Sequence, residues 1–226
     1  LPAVVHRDWI RAAGYNPFAR QPEPGRKGRR CQKSSLIPQT RAVWMIRTGA
    51  AGLPPEAVLD LLEIQEGMTV ADVGAGTGYF ALPLAERVGS TGLVFAVDVQ
   101  PEMLERLEAN LAGRPEAGRI RPSLGAAEDT GLPDACADRV FLANVWHEVE
   151  DHGAVLREAA RILRGGGRLA ILDWRTDVER PPGPPLEHRV SPARTYIALE
   201  DAGWTVVLTD DVGDYSYLMV AVPPGS

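Results

Sequence analysis

At 226 residues, 45% hydrophobic and 24% charged, the chain has the size and composition of one globular domain able to bury a full core. No apolar run approaches the length of about 18 residues that a membrane span needs, and no signal-peptide pattern opens the chain. Cys31 and Cys136 are too few for a disulfide framework, so a reducing cytoplasm is the expected setting.

The net charge of −6 is unevenly spread, because residues 1–47 carry ten Lys or Arg against two acids. Asn16-Pro17, Pro22, Pro24-Gly25 and Gly28 interrupt any helix there, and Arg26-Lys27-Gly28-Arg29-Arg30 is a basic cluster. Residues 1–50 are therefore set apart from a main domain over 51–226. Three readings are open for them: a basic arm for RNA or another acidic partner, a solvated tail, or sequence upstream of a start at Met45.

Leu53-Pro54-Pro55-Glu56 opens a helix with proline in its first turn, and Val58, Leu59, Leu61 and Leu62 form its apolar side. Gln65 to Met68 turn the chain into a short apolar strand, Val70 to Val73. A glycine-rich turn follows, and Tyr79 to Val88 reads as a helix. Leu93 to Asp98 is a continuous apolar run ending in an acid, as in a parallel strand covered on both faces. Pro101 to Leu111 is helical, with Met103, Leu104 and Leu107 on one side.

Arg119 to Leu124 and Arg139 to Asn144 are strands, and Asp151 to Leu163 is a helix ended by Gly165-Gly166-Gly167. Arg168 to Trp174 is the next buried strand, with Trp174 and Trp204 read as core. The proline-rich stretch 181–185 must be loop, and His188 just beyond it is a candidate pocket residue. Ser191-Pro192 caps a helix to about Ala202. Two strands, Trp204 to Thr209 and Tyr215 to Val222, close the chain, joined by residues 210–214. Strands alternating with helices predict a doubly wound, mostly parallel seven-stranded sheet with helices on both faces. The missing helix between the last two strands predicts that the terminal strand is antiparallel.

Gly74, Gly76 and Gly78 leave the turn after the first strand bare where a ligand can press on the backbone. The spacing is G-x-G-x-G, and the third glycine of a dinucleotide fingerprint would fall on Tyr79. Asp98, twenty residues after Gly78, ends the second strand where a carboxylate can accept from a ribose diol.

In these features the chain resembles class I S-adenosylmethionine-dependent methyltransferases of the broad bacterial small-molecule type. The matching stretches are Val70–Phe80, Val94–Leu104, Gly125–Pro133, Asp138–Asp151 and Leu163–Trp174. The resemblance implies a Rossmann-like fold and S-adenosylmethionine as cofactor. It implies that Gly74, Ala75, Gly76, Thr77 and Gly78 line the methionine part, with Asp72 orienting the amino group directly or through water. Asp98 would hold the ribose, Val99 or Gln100 would flank the adenine, and Glu128 or Asp129 would meet its amino group. Ala126 stands where many relatives have Asp. Asn144 would offer its backbone carbonyl near the sulfonium, and Trp146, His147 and Glu148 would face the transferred methyl. His147 is the candidate general base, with Glu148 orienting it or acting itself.

The acceptor is expected to be a small molecule. An acidic catalytic domain argues against a phosphate track, and no N-P-P-[YF] tetrapeptide is present, so a nucleic-acid acceptor is disfavoured. An RNA or protein methyltransferase using the basic arm, a non-catalytic cofactor-binding module and an NAD oxidoreductase are the competing readings. The four histidines are scattered without ligand spacing, so no metal site is expected.

Overall fold

The computed structural model describes residues 53–178 and 183–225, and the basic cluster, Met45 and Pro181-Pro182 lie outside them. Seven strands form one sheet: β1 (Thr69–Val73), β2 (Leu93–Asp98), β3 (Ile120–Leu124), β4 (Ala137–Ala143), β5 (Leu163–Trp174), β6 (Thr205–Val212) and β7 (Ser216–Val222). Their spatial order is β3-β2-β1-β4-β5-β7-β6. Pairings among β1 to β5 are parallel, and β7 runs antiparallel between β5 and β6. The fold is thus doubly wound, with one antiparallel strand as the missing helix implies.

The strands read as apolar runs because both faces are covered. Successive residues of β4 divide between two cores: Phe141 and Ala143 pack on one face, Val140 and Leu142 on the other. The first core is closed by helices α1 (Pro55–Leu61), α2 (Ala81–Arg87) and α3 (Pro101–Leu111), through Val58, Leu84 and Leu107. The second is closed by α4 (His152–Ile162) and α5 (Pro192–Asp201), through Leu156, Ile162 and Leu199. Each such fully buried side chain contributes ~1.5–3 kcal/mol of burial free energy. Removing one, as in Leu107→Ala, costs ~2–5 kcal/mol once the cavity is included.

Helix ends follow the capping residues. Asp151 caps α4 by accepting the Ala154 N–H at 2.9 Å, and Ser191 caps α5 through Arg194 N–H with Pro192 at its first position.

Besides shifts of one or two residues at strand ends, three differences from the sequence reading stand out. The helix after the glycine turn starts only at Ala81, since Tyr79 and Phe80 still belong to the turn. The glycine trio belongs to β5: Leu163 pairs with Ala137 and Arg168 with Arg139, so the glycines loop out within the strand, with Gly166 at φ 79°. Asp210 and Asp211 continue β6 opposite Leu218 and Tyr217 instead of forming a loop. An edge strand tolerates exposed acids, which discourage pairing with another chain.

Strand order reverses between β1 and β4. A crevice at such a switch point, outside the carboxyl ends of the strands, is where open α/β sheets bind ligands. The residues after β1, β2, β4 and β5 therefore define the site.

Candidate active site

The glycine turn leaves β1 with Gly74 N–H and Ala75 N–H both donating to Val97 O, at 2.7 and 2.9 Å. Gly74, Gly76 and Gly78 have φ of 80°, 56° and 95°, a region that costs an L side chain energy. At Gly78 a Cβ would also overlap Leu107 Cδ1. Asn110 Nδ2 donates to Thr77 O at 3.0 Å and holds the far side of the turn to α3.

Asp98 is 1% exposed and is tied to this turn. Its carboxylate accepts Gly76 N–H and Gln100 N–H, each at 2.9 Å. A carboxylate at the end of this strand is an acceptor of the kind that a ribose diol needs. Asp72 is buried within β1. Val99 and Leu124, by contrast, are 56% and 64% exposed, two apolar side chains in solvent at the ends of β2 and β3. Leu124 is not among the residues singled out in the sequence, because its exposure shows only once the strand is placed.

Residues 125–132 form a compact loop beside Asp98. Ala126 and Asp129 exchange backbone hydrogen bonds, and Gly125 N–H donates to Asp98 O at 3.1 Å. The side chains of Glu128 and Asp129 are exposed. Thr130 anchors the loop by donating its N–H and hydroxyl to Glu158, which Arg161 also binds. Burial raises the Glu158 pKa, but the hydrogen bonds from Arg161 and Thr130 outweigh it and hold the carboxyl at about 2.

At the end of β4, Asn144 takes φ 56°, and its N–H donates to Leu172 O at 2.8 Å. Its Oδ1 is buried and accepts no hydrogen bond among the described residues. The chain then forms a 3-10 turn, Trp146–Glu148. Trp146 is fully buried and stacks on the His152 ring at 4.0 Å, so it serves the core under the turn.

His147 is only 8% exposed at its side chain and is held by a residue the sequence reading passed over. Asp173 accepts the His147 N–H through Oδ2 at 2.8 Å and faces Nδ1 of its ring through Oδ1 at 2.8 Å. Trp174 N–H donates to the same Oδ1 at 2.7 Å. Glu148 Oε1 lies 3.8 Å from His147 Nε2, beyond hydrogen-bond reach, so the orienting contact comes from Asp173. The signal was an acid inside an apolar strand, since a buried Asp is almost always paired.

The segment after β5 covers Trp174. A Cβ on Gly183 would meet the Trp174 ring at 2.8 Å, and the Arg189 guanidinium lies 5.9 Å from its centre. Arg189 is buried and donates to Pro184 O and Arg175 O, whereas His188 is exposed. Burial lowers the Arg189 pKa, and the Asp173 charge partly offsets this. Tyr217, opposite Asp173 in β7, has its hydroxyl pKa pushed up by burial and by the Asp173 charge.

Comparison with known proteins gives the family. Residues 71–171 match a family model described as "Methyltransferase domain". An uncharacterized methyltransferase of Mycobacterium tuberculosis is 42% identical over 140 residues, 62% of this chain and 52% of that protein. A ubiquinone/menaquinone biosynthesis C-methyltransferase of Pseudomonas putida is 30% identical over 164 residues, 73% of this chain and 61% of that protein. The chain thus spans about half to three-fifths of these curated relatives. The crystal structure of an S-adenosylmethionine-dependent methyltransferase from Aquifex aeolicus superposes with a TM-score of 0.73 at 31% identity, covering 81% of this chain and 98% of that one. The chain belongs to the S-adenosylmethionine-dependent methyltransferase family, and its cofactor class is S-adenosylmethionine.

Proposed function

We propose that this chain transfers a methyl group from S-adenosylmethionine to a small-molecule acceptor by in-line displacement. The observation that carries the reading is the corner in which Gly76 N–H meets the Asp98 carboxylate beneath a turn of three glycines. The residues present fit the cofactor: bare backbone at the turn, an acceptor carboxylate at Asp98, and exposed apolar Val99 and Leu124 for an adenine ring. The buried Asn144 Oδ1 is an acceptor suited to a cationic group.

Bound S-adenosylmethionine supplies an electrophilic methyl group on a sulfonium. Gly74 to Gly78 let the backbone approach the methionine part, with Asp72 orienting its amino group, and Asp98 holds the ribose hydroxyls. Gln100 stands beside Val99 at the adenine, and exposed Glu128 and Asp129 are the acids within reach of its rim. His147 and Glu148 sit on the acceptor side, where His147 takes a proton from a nucleophile that must lose one. Alignment of the two reactants supplies a large share of the acceleration.

The P. putida relative is named for C-methylation in quinone biosynthesis, which supports a small-molecule acceptor here. Among the described residues no helix is long and apolar enough to cross a membrane. Methyl-labelled S-adenosylmethionine incubated with the protein and a whole-cell extract, then fractionated by mass, tests the reading. Label in the small-molecule fraction is expected; label confined to RNA or protein would transfer the function to the basic-arm alternative.

A further inference from the structure

We infer that Asp173 is a positioning residue that fixes His147 with its Nε2 as the proton-accepting nitrogen, so that the acceptor is a protic nucleophile such as a phenol or a primary or secondary amine. This rests on the methyl-transfer reading and adds a substrate class to it.

Asp173 accepts two backbone N–H groups, those of His147 and Trp174, and its Oδ1 lies 2.8 Å from Nδ1 of the His147 ring. An ionised carboxylate only accepts, so the ring nitrogen facing it, Nδ1, must carry the proton. A neutral imidazole with Nδ1 protonated presents its lone pair on Nε2. The His147 backbone bond matters as much as the ring bond, because together they fix both the turn and the ring plane. Asp173 side-chain exposure is 1%, so water does not compete for these bonds.

A buried carboxylate is costly unless its surroundings are built for it. Here the two backbone N–H groups satisfy the carboxylate, and the Arg189 charge acts on it from the segment over Trp174. Glu148 is the charged side chain nearest Nε2, at 3.8 Å, where it favours the ring once a proton has arrived.

The reaction balances with these groups alone. The acceptor's nucleophilic atom forms a bond to the methyl carbon while the carbon–sulfur bond breaks, its electron pair leaving on sulfur as a neutral thioether. The acceptor's proton passes to His147 Nε2 and then to solvent.

Nitrogen-15 NMR of the full chain, with and without S-adenosylhomocysteine, tests the tautomer without an acceptor; His147→Gln assigns the signal. A proton on Nδ1 and a bare Nε2 above the ring's titration are expected, and the opposite tautomer would overturn the proposal. In Asp173→Asn the Nδ1 proton signal should be lost. Turnover on a panel of phenols and secondary amines should fall roughly 100-fold or more. S-adenosylhomocysteine affinity should stay within about threefold. Unchanged turnover, affinity lost in step with turnover, or transfer only to tertiary amines and thioethers would each overturn it. If Asp173→Asn fails to fold, the wild-type tautomer decides. A wild-type chain that binds no S-adenosylhomocysteine, yet shows the Nδ1 tautomer, would defeat the methyl-transfer reading and leave the Asp173 contact standing.

Discussion

The N–H of Gly76 donates to Asp98 Oδ2 at 2.9 Å, so the carboxylate that ends β2 also shapes the turn that ends β1. Two strands thus build one corner. On the proposed reading, Asp98→Ala removes charged hydrogen bonds to the ribose, each worth ~1.5–3 kcal/mol, and releases Gly76. S-adenosylhomocysteine affinity should fall ~10- to 100-fold by calorimetry. Asp98→Asn keeps an acceptor for Gly76 and should lose less. Equal, unchanged affinity in both variants would remove Asp98 from the site.

His147→Ala separates chemistry from binding. The side chain touches Asp173 and approaches Glu148, and none of its hydrogen bonds goes to the glycine turn. Turnover should fall by roughly 100-fold, with S-adenosylhomocysteine affinity nearly unchanged. Parallel loss of both would mark His147 as a structural part of the turn.

Gly78→Ala tests the turn's dependence on bare backbone. The φ of 95° strains an alanine, and its Cβ overlaps Leu107, which is itself fully buried. A loss of ~2 kcal/mol or more is expected in urea unfolding. Gly113→Ala is the control, since φ is 77° there but nothing lies within 4 Å of the added Cβ. It should cost about 1–2 kcal/mol from the backbone alone. Equal losses would show that the Leu107 contact yields freely.

Glu158 links acid stability to the loop at Thr130. Its folded pKa of about 2 lies below the unfolded value near 4.3. The stabilisation is therefore complete above the unfolded pKa and is lost as pH falls from about 4 through about 2. It amounts to about 3 kcal/mol at neutral pH. Glu158→Gln should lower the melting temperature at pH 7 and flatten its decline over that acid range. Parallel melting curves for the two proteins would show that Glu158 is not the titrating group.

The sheet and the glycine turn were legible because both rest on local rules. Apolar runs such as Leu93 to Asp98 mark strands covered on both faces, and alternating glycines mark a turn pressed against its surroundings. Asp173 was not legible. It acts through a contact 26 residues away in the chain, and within Leu169 to Trp174 it reads as one polar interruption. Likewise His188 drew attention as a histidine, but the residue that folds back over Trp174 is Arg189. The edge acids Asp210 and Asp211 read as loop because charge is common both in turns and on exposed strand edges.

Calorimetric titration of the full chain with S-adenosylhomocysteine, beside NAD, tests the corner made by Gly76 and Asp98 most directly. The account predicts saturable binding of S-adenosylhomocysteine at one site per chain, weakened in Asp98→Ala, and none of NAD. No heat with S-adenosylhomocysteine, or comparable binding of NAD, would contradict it.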